Sequence, residues 1–430
     1  MSFDFQNADI CRYLFDGHFG LEKESLRVTQ DGFLSHTGHP FPDNPNIDRD
    51  FCENQTELIT DVADSVEEAW NQLAQLHTKT VRVLRYLDTG RELLWPFSNP
   101  PYVKGETDIP IAAFQGRLHG KEQYRQYLAH KYGKKKMLFS GIHFNFSFSD
   151  QFLMAGFYDS GETDFRAYKD TIYMELAKKV TRYSWLIVYL TAASSVFDGS
   201  FFCDDAIGKT VSNKYASARC SEIGYWNAFL PLLDYENLYT YIQSIHDYID
   251  AGQLREASEL YYPVRLKPKG ENSLRNLEQT GVNHLEVRTL DLNPLTPYGI
   301  ELADLQFIHL LMLYLMSLDD GPFEHFEQKM AIQNIKRAAQ YEEASIQIET
   351  GWNAVLPVRD AAMHVLDAMR KFYESFDNPT LLQVVETQKQ KLIQPEGRYA
   401  VQVKKRFGTD FVQQGLALTE AYAEEILQKR

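Results

Sequence analysis

Thiols are scarce in this chain of 430 residues: Cys11, Cys52, Cys203 and Cys220 are widely scattered and form no C-x-x-C pair. That spacing excludes a disulfide scaffold and a zinc ribbon and fits a reducing compartment. Basic excess is missing as well. A formal net charge of −15 leaves nothing to neutralise a phosphate backbone, so nucleic acid is not expected as a partner. Long apolar runs are absent. Trp185 to Phe197, the most apolar stretch, covers 13 residues with Thr and Ser inside it, too few to span a bilayer. No membrane partner is expected. Met1 to Phe5 has neither a basic nor an apolar leader pattern, and the expected location is the cytoplasm. Internal repeats and low-complexity linkers are not seen. Neither are G-x-G-x-x-G, H-E-x-x-H or G-x-S-x-G. Gly208-Lys209-Thr210 resembles the end of a phosphate-binding loop, but Cys203 stands where that loop needs glycine.

What the chain does hold is 44% hydrophobic residues, with 25 Tyr and 27 Phe, enough for a large core. Gly20 to Val28 reads as a strand, and Ile47 to Thr60 as a second. Ser65 with Glu68 opens a helix running to about Leu87. Leu94 to Tyr102 is a Pro-rich extended loop, and Glu122 to Lys131 is helical. Gly141 to Ser149 alternates most clearly, with Ile142, Phe144, Phe146 and Phe148 on one side and His143, Asn145, Ser147 and Ser149 on the other. Arg166 to Phe197 reads as one long or broken helix, Asp198 to Ile223 as a loop, and Leu238 to Gly252 as a helix. Tyr261 to Lys267 and His284 to Leu290 are strands. From Pro297 the chain reads as helical, over 299–318, 323–349, 357–376, 379–393 and 408–429. Strands gathered before about 296 and helices after 297 predict an α+β fold, not a parallel βαβ sheet.

The chemistry lies in the polar sides of those strands. Glu22 and Glu24 share a face and stand about 7 Å apart along a strand, where they repel unless a cation lies between them. Glu53, Gln55 and Glu57, with Asp50 ahead of them, mark the second strand. His143 and Asn145 mark the third, and Glu286 and Arg288 the fourth. Singly, each has a plainer reading: a solvated glutamate, a core histidine, a local ion pair. Together, four polar strand faces are costly unless they line one solvated or metal-filled cavity. Carboxylates, imidazole and an amide oxygen suit Mg²⁺ or Mn²⁺, and arginines suit phosphate. The set points to phosphoryl transfer from a nucleoside triphosphate.

Gly20 to Val28 (GLEKESLRV), Asp50 to Thr60 (DFCENQTELIT), Ser140 to Phe146 (SGIHFNF) and Glu286 to Pro294 (EVRTLDLNP) resemble glutamate–cysteine ligase. Shorter likenesses run from Leu94 to Pro101, Ser217 to Tyr225, Thr296 to Ile300 and Phe411 to Leu418, most similar to the ligase half of bifunctional glutathione-synthesising enzymes. The resemblance implies one catalytic domain over 1–430 with a glutamine synthetase-like fold: a curved, mostly antiparallel sheet forming a funnel-shaped site under helices. It also implies ATP- and Mg²⁺-dependent joining of the glutamate γ-carboxylate to the cysteine amine, the first step of glutathione biosynthesis. Glu22, Glu24, Asp50, Glu57, His143 and Glu286 match the family's metal positions. Arg288 and Arg219 match its catalytic arginines. Arg219, Arg265, Asn145 and Tyr225 are the expected substrate contacts. Asn99 departs from the Met common in the family, and Cys52 and Cys220 replace other residue types. No ATP-grasp domain follows in this sequence, so glycine addition is expected to fall to a separate glutathione synthetase. Three further readings are distinguishable. A ligase of this fold with another acid or amine would differ in a substrate panel. A phosphotransferase like the guanidino kinases would release no inorganic phosphate. A silent nucleotide-binding regulator would have lost the glutamates.

Overall fold

The strand that carries Glu22 and Glu24 is β1 (Gly17–Thr29), the longest described. The remaining strands are β2 (Ile47–Arg49), β3 (Gln55–Ile59), β4 (Glu92–Leu94), β5 (Gly141–Phe148), β6 (Val196–Asp198), β7 (Thr210–Ser212), β8 (Val264–Lys267), β9 (His284–Asp291), β10 (Gln347–Thr350) and β11 (Ala354–Pro357). The computed structural model describes residues 3, 5, 7–114, 119–212, 214–350, 354–394 and 396–428. The main sheet runs β2-β3-β1-β5-β9-β8, with β4 paired to the far end of β1. All its pairings are antiparallel. The sheet is open, ending at β2 and β8. An α+β architecture built on an antiparallel sheet is therefore what the chain adopts.

Alternation divides the sheet into two faces. Phe19 and Leu21 of β1, Ile142, Phe144, Phe146 and Phe148 of β5, and Leu285 and Val287 of β9 are all no more than 2% exposed. They pack in one core with the helices Phe165–Thr191 and Leu302–Leu315. Each such side chain contributes roughly 1.5–3 kcal/mol before conformational entropy is subtracted. The helix Val66–Arg85 covers β1 from the same side, its N-terminus capped by Ser65. There Lys23 Nζ meets His77 Nδ1 at 3.0 Å. A second core gathers Trp95 and Phe97 against Phe407 and Phe411. Gly415 makes that packing feasible, because a Cβ there would lie 2.4 Å from the Trp95 ring.

Several sequence expectations are corrected. The strand anticipated over Ile47 to Thr60 is a hairpin, β2 and β3, broken at Asp50–Asn54. Arg49 pairs with Glu53 at 2.9 Å, and Asp50 N–H bonds the Gln55 carbonyl across the turn. The long helix stops at Thr191 instead of reaching Phe197. Ala193 N–H and the Ser194 hydroxyl both donate to Asp291, which redirects the chain into β6. The anticipated loop after Asp198 contains β7, paired with β6. The helix anticipated to reach Glu349 ends at Ala338, and the β10–β11 hairpin follows, where Ile346 and Ile348 alternate with polar residues. A helix at Tyr399–Phe407 had no counterpart in the sequence reading.

His309, on the helix Leu302–Leu315, packs against Phe19 and Phe146, and its Nε2 finds no hydrogen-bond partner. Burial pulls its pKa down to about 3. The unfolded chain therefore takes up a proton below about pH 6.5 that the folded chain refuses, so stability is present above that pH and falls below it. The loss attributable to this one group is about 2 kcal/mol at pH 5. Denaturant titrations at pH 7 and pH 5 should show His309→Leu losing less stability on acidification than the parent, by about that amount. Equal losses would mean that the ring is protonated in the fold.

Candidate active site

The polar faces of β1, β3, β5, β9 and β8 coincide because antiparallel registry sets like-facing residues opposite each other. Glu24 is paired with Glu57, Glu22 with His143, Asn145 with Glu286, and Arg265 with Glu286. A register shift between β5 and β9 falls between the pairs at Ile142 and Phe144. It lies beside His143, where a bulge re-aims a side chain.

Glu22, His143 and Glu286 form a compact cluster whose ligand-type atoms lie within 4.8 Å of one another. His143 Nδ1 is 3.0 Å from Glu22 Oε2, and its Nε2 is 3.1 Å from Arg219 Nη2. A carboxylate only accepts and a guanidinium only donates, so a neutral ring protonated on Nδ1 satisfies both. Burial and the Arg288 charge bring its pKa down to about 4. Burial alone would raise Glu22, but the His143 hydrogen bond, with the Lys267 charge, leaves it below its ordinary value. Burial opposes ionisation of Glu286 too. Arg288, bonded at 2.9 Å, and Lys267, at 3.2 Å, outweigh it and hold Glu286 well below the carboxylate range.

Glu24, Asp50 and Glu57 form the other half of the face. Glu24 accepts the Gly141 N–H at 2.9 Å and approaches His143 Nε2 at 3.8 Å. Burial, then the Asp50 charge, pushes Glu24 up to about 8. Burial with the charges of Asp50, Glu22 and Glu24 pushes Glu57 well above its ordinary value. The residues fit a divalent cation on two grounds. Glu24, Asp50 and Glu57 crowd one another enough to raise Glu24 and Glu57, a strain that a cation relieves, and the Asn145 carbonyl oxygen is buried with no hydrogen-bond partner. Its amide nitrogen is fixed by Glu22 at 3.1 Å.

Arg219 lies flat across Gly141, where a Cβ would fall 2.4 Å from its Cζ. It bonds the carbonyls of Arg288 and Leu290. Its turn is tied to β9 by Asp291, which accepts from Ser194 and Ser217. Tyr225, Tyr261, Arg219 and Arg288 line a small cleft of about 30 Å³. The Tyr225 hydroxyl reaches Met137 Sδ at 3.0 Å, and its ring lies 4.3 Å from that of Tyr261. Arg265 is on the same face, but its Nε and Nη2 bond the carbonyls of Leu260 and Ser258. At the opposite end, a cavity of about 400 Å³ is bordered by Glu22, Asn145, Lys169, Lys269, Asn283 and His284, within the size range of small-molecule sites. A larger groove, about 580 Å³, runs between Leu233–Glu236 and Pro322–Phe326, away from every residue of this face.

Glu53 and Gln55, marked with Glu57 on the second strand, spend their polar groups within the protein. The Glu53 carboxylate is used by Arg49 and the N–H groups of His39 and Ala113, and Gln55 bonds Phe139 and Ser140. Lys267 was missed, although its place two residues after Arg265 puts both on one face. Asp291 and Ser217 were missed because their role is to hold Arg219, which no local pattern reveals. Cys52 and Cys220 are buried and free; the Cys220 thiol contacts the Thr289 carbonyl at 3.3 Å. Gly208 leads into β7 and no phosphate loop forms there.

A family model described as glutamate-cysteine ligase matches residues 4–255 and 249–338. The glutathione biosynthesis bifunctional protein of Listeria welshimeri is 37% identical over 437 residues, covering 98% of this chain and 56% of that protein. The chain thus spans about half the length of the curated relatives it matches. A bifunctional glutathione synthetase structure from Pasteurella multocida matches with a TM-score of 0.83 at 28% identity, over 98% of this chain and 54% of that one. The fold is shared too by a glutamate–cysteine ligase structure from Francisella tularensis in complex with AMP, with a TM-score of 0.83 at 24% identity, over 96% of this chain and 89% of that one. Among the described residues no helix is long and apolar enough to cross a membrane. With the family model matching most of its length and the acidic face intact, the chain belongs to the glutamate–cysteine ligase family.

Proposed function

We propose that this chain joins the γ-carboxylate of glutamate to the amine of cysteine at the expense of ATP, through γ-glutamyl phosphate. The observation that carries this reading is the order of parts along one sheet face. A 400 Å³ cavity flanked by Lys169 and Lys269 stands at one end, the Arg219–Tyr225 cleft at the other, and the Glu22–His143–Glu286 cluster between them. The nucleotide occupies the cavity. The Francisella tularensis structure, described as a complex with AMP, supports a nucleotide on this fold. Glu22, Glu24, Asp50, Glu57, His143, Glu286 and the Asn145 oxygen hold Mg²⁺ or Mn²⁺, which when bound neutralises charge on the phosphates.

Chemically, the γ-carboxylate oxygen bonds to the terminal phosphorus as the bond to ADP breaks. The cysteine amine then bonds to the acyl carbon, phosphate leaves with the electron pair, and the amine gives up a proton. Arg288 and Arg219 supply fixed positive charge for the phosphoryl oxygens and the acceptor carboxylate. Tyr225 walls the acceptor side, and Arg265 shapes β8 and adds charge near Glu286. The buried Cys52 and Cys220 thiols fit a cytoplasmic setting, and the product keeps a free carboxylate that a second ligase can extend.

Incubation with ATP, Mg²⁺, glutamate and cysteine should yield ADP, phosphate and γ-glutamylcysteine in equal amounts by chromatography. A panel of other acids and amines identifies any different substrate, and no product from any pair overturns the reading. Glu286→Gln should stay folded while its turnover falls about 100-fold or more, since Arg288 and Lys267 lose their shared counter-charge. Saturating Mg²⁺ should stabilise the parent protein by roughly 1–3 kcal/mol. Thermal melts of Glu57→Gln should show a higher midpoint than the parent without added cation and a smaller Mg²⁺ shift. A full shift in this variant would remove Glu57 from the cation site.

A further inference from the structure

Each guanidinium on the acidic face already has a fixed protein partner. Arg265 serves backbone carbonyls. Arg219 serves carbonyls and His143, and Arg288 is bonded to Glu286. Lys267 differs. It closes β8 opposite His284, and its ammonium lies 3.2 Å from Glu286 Oε1. An ammonium has three donors, and that contact uses one. Glu286 keeps Arg288 on its other oxygen at 2.9 Å, so Lys267 can turn away without leaving a buried carboxylate unpaired.

Its position decides what it can reach. Glu286, on one side of Lys267, belongs to the His143 cluster. His284, across the strand pair, and Lys269, two residues on, border the 400 Å³ cavity. Lys267 therefore stands at the seam between cavity and cluster. We propose that Lys267 is a phosphoryl-contacting residue whose ammonium binds the terminal phosphate oxygens of a nucleoside triphosphate seated in that cavity. This rests on the ligation reading above, in which the transferred phosphoryl group passes from the cavity toward the Arg219 cleft. A compact ammonium on a flexible stem can follow oxygens that move during transfer, which a forked guanidinium held by carbonyls cannot. Charge-assisted contacts to phosphate are among the stronger hydrogen bonds.

Calorimetry with AMP and with the β,γ-imido analogue of ATP, both with Mg²⁺, tests the assignment on the whole chain. Lys267→Met and Lys267→Gln should bind AMP like the parent and the triphosphate analogue roughly 10- to 100-fold more weakly. Lys267→Arg should recover most of that loss. Unchanged triphosphate affinity in both neutral variants overturns the proposal, as does an equal loss for AMP and triphosphate. A parent protein that binds neither nucleotide overturns the ligation reading itself. One that binds both and ligates, with neutral variants unchanged, overturns only the role of Lys267.

Discussion

Mutual repulsion among carboxylates on one sheet face is the constraint the rest of this structure answers to. Antiparallel pairing sets Glu24 directly opposite Glu57, and like charges so placed destabilise a sheet. Burial prevents water from screening them. Arg288 and Lys267 relieve Glu286, and His143 relieves Glu22, but Glu24 and Glu57 retain raised pKa values. A face so acidic is stable only because its reverse is so apolar. The same strands place Phe144, Phe146, Leu285 and Val287 against long helices, and that burial offsets the cost of the charge. Site and core are thus two sides of one alternation, and neither can shift register alone. A slip of one residue would exchange the faces.

That alternation is also why so much was legible in the sequence. Glu22, Glu24, His143, Asn145, Glu286 and Arg288 could be assigned to one face from period-2 spacing alone, and the structure brings them together. Glu57 joins them although its strand was misjudged, because β3 keeps the phase even where Asp50–Asn54 turns. Glu53 fails for the same reason: it sits in the turn, where alternation does not apply. What was illegible depends on contacts distant in sequence. The helix end at Thr191 follows from Asp291, about a hundred positions on, accepting from Ala193 and Ser194. Arg219 lies where it does because Gly141 lacks a side chain and two backbone carbonyls receive it. No window of neighbouring residues carries that information. The β10–β11 hairpin was overlooked because each of its strands is four residues long, too short a run for period alone to tell strand from helix.

His143 is where the two ends of the face meet, and its chemistry limits how they act together. With the proton on Nδ1, the ring donates to Glu22 and accepts from Arg219. A cation at Nδ1 requires the other tautomer, whose Nε2–H would oppose the Arg219 donor. The ring therefore cannot serve a cation through Nδ1 and hold Arg219 at the same time. Glu22, freed of the ring proton, becomes a better ligand in that second state, and Arg219 gains an unspent donor facing the cleft beside Tyr225. A neutral imidazole between a carboxylate and a guanidinium is thus a physical link between the acidic face and the Arg219 cleft, and switching it requires no movement larger than the relocation of one proton and one side-chain hydrogen bond.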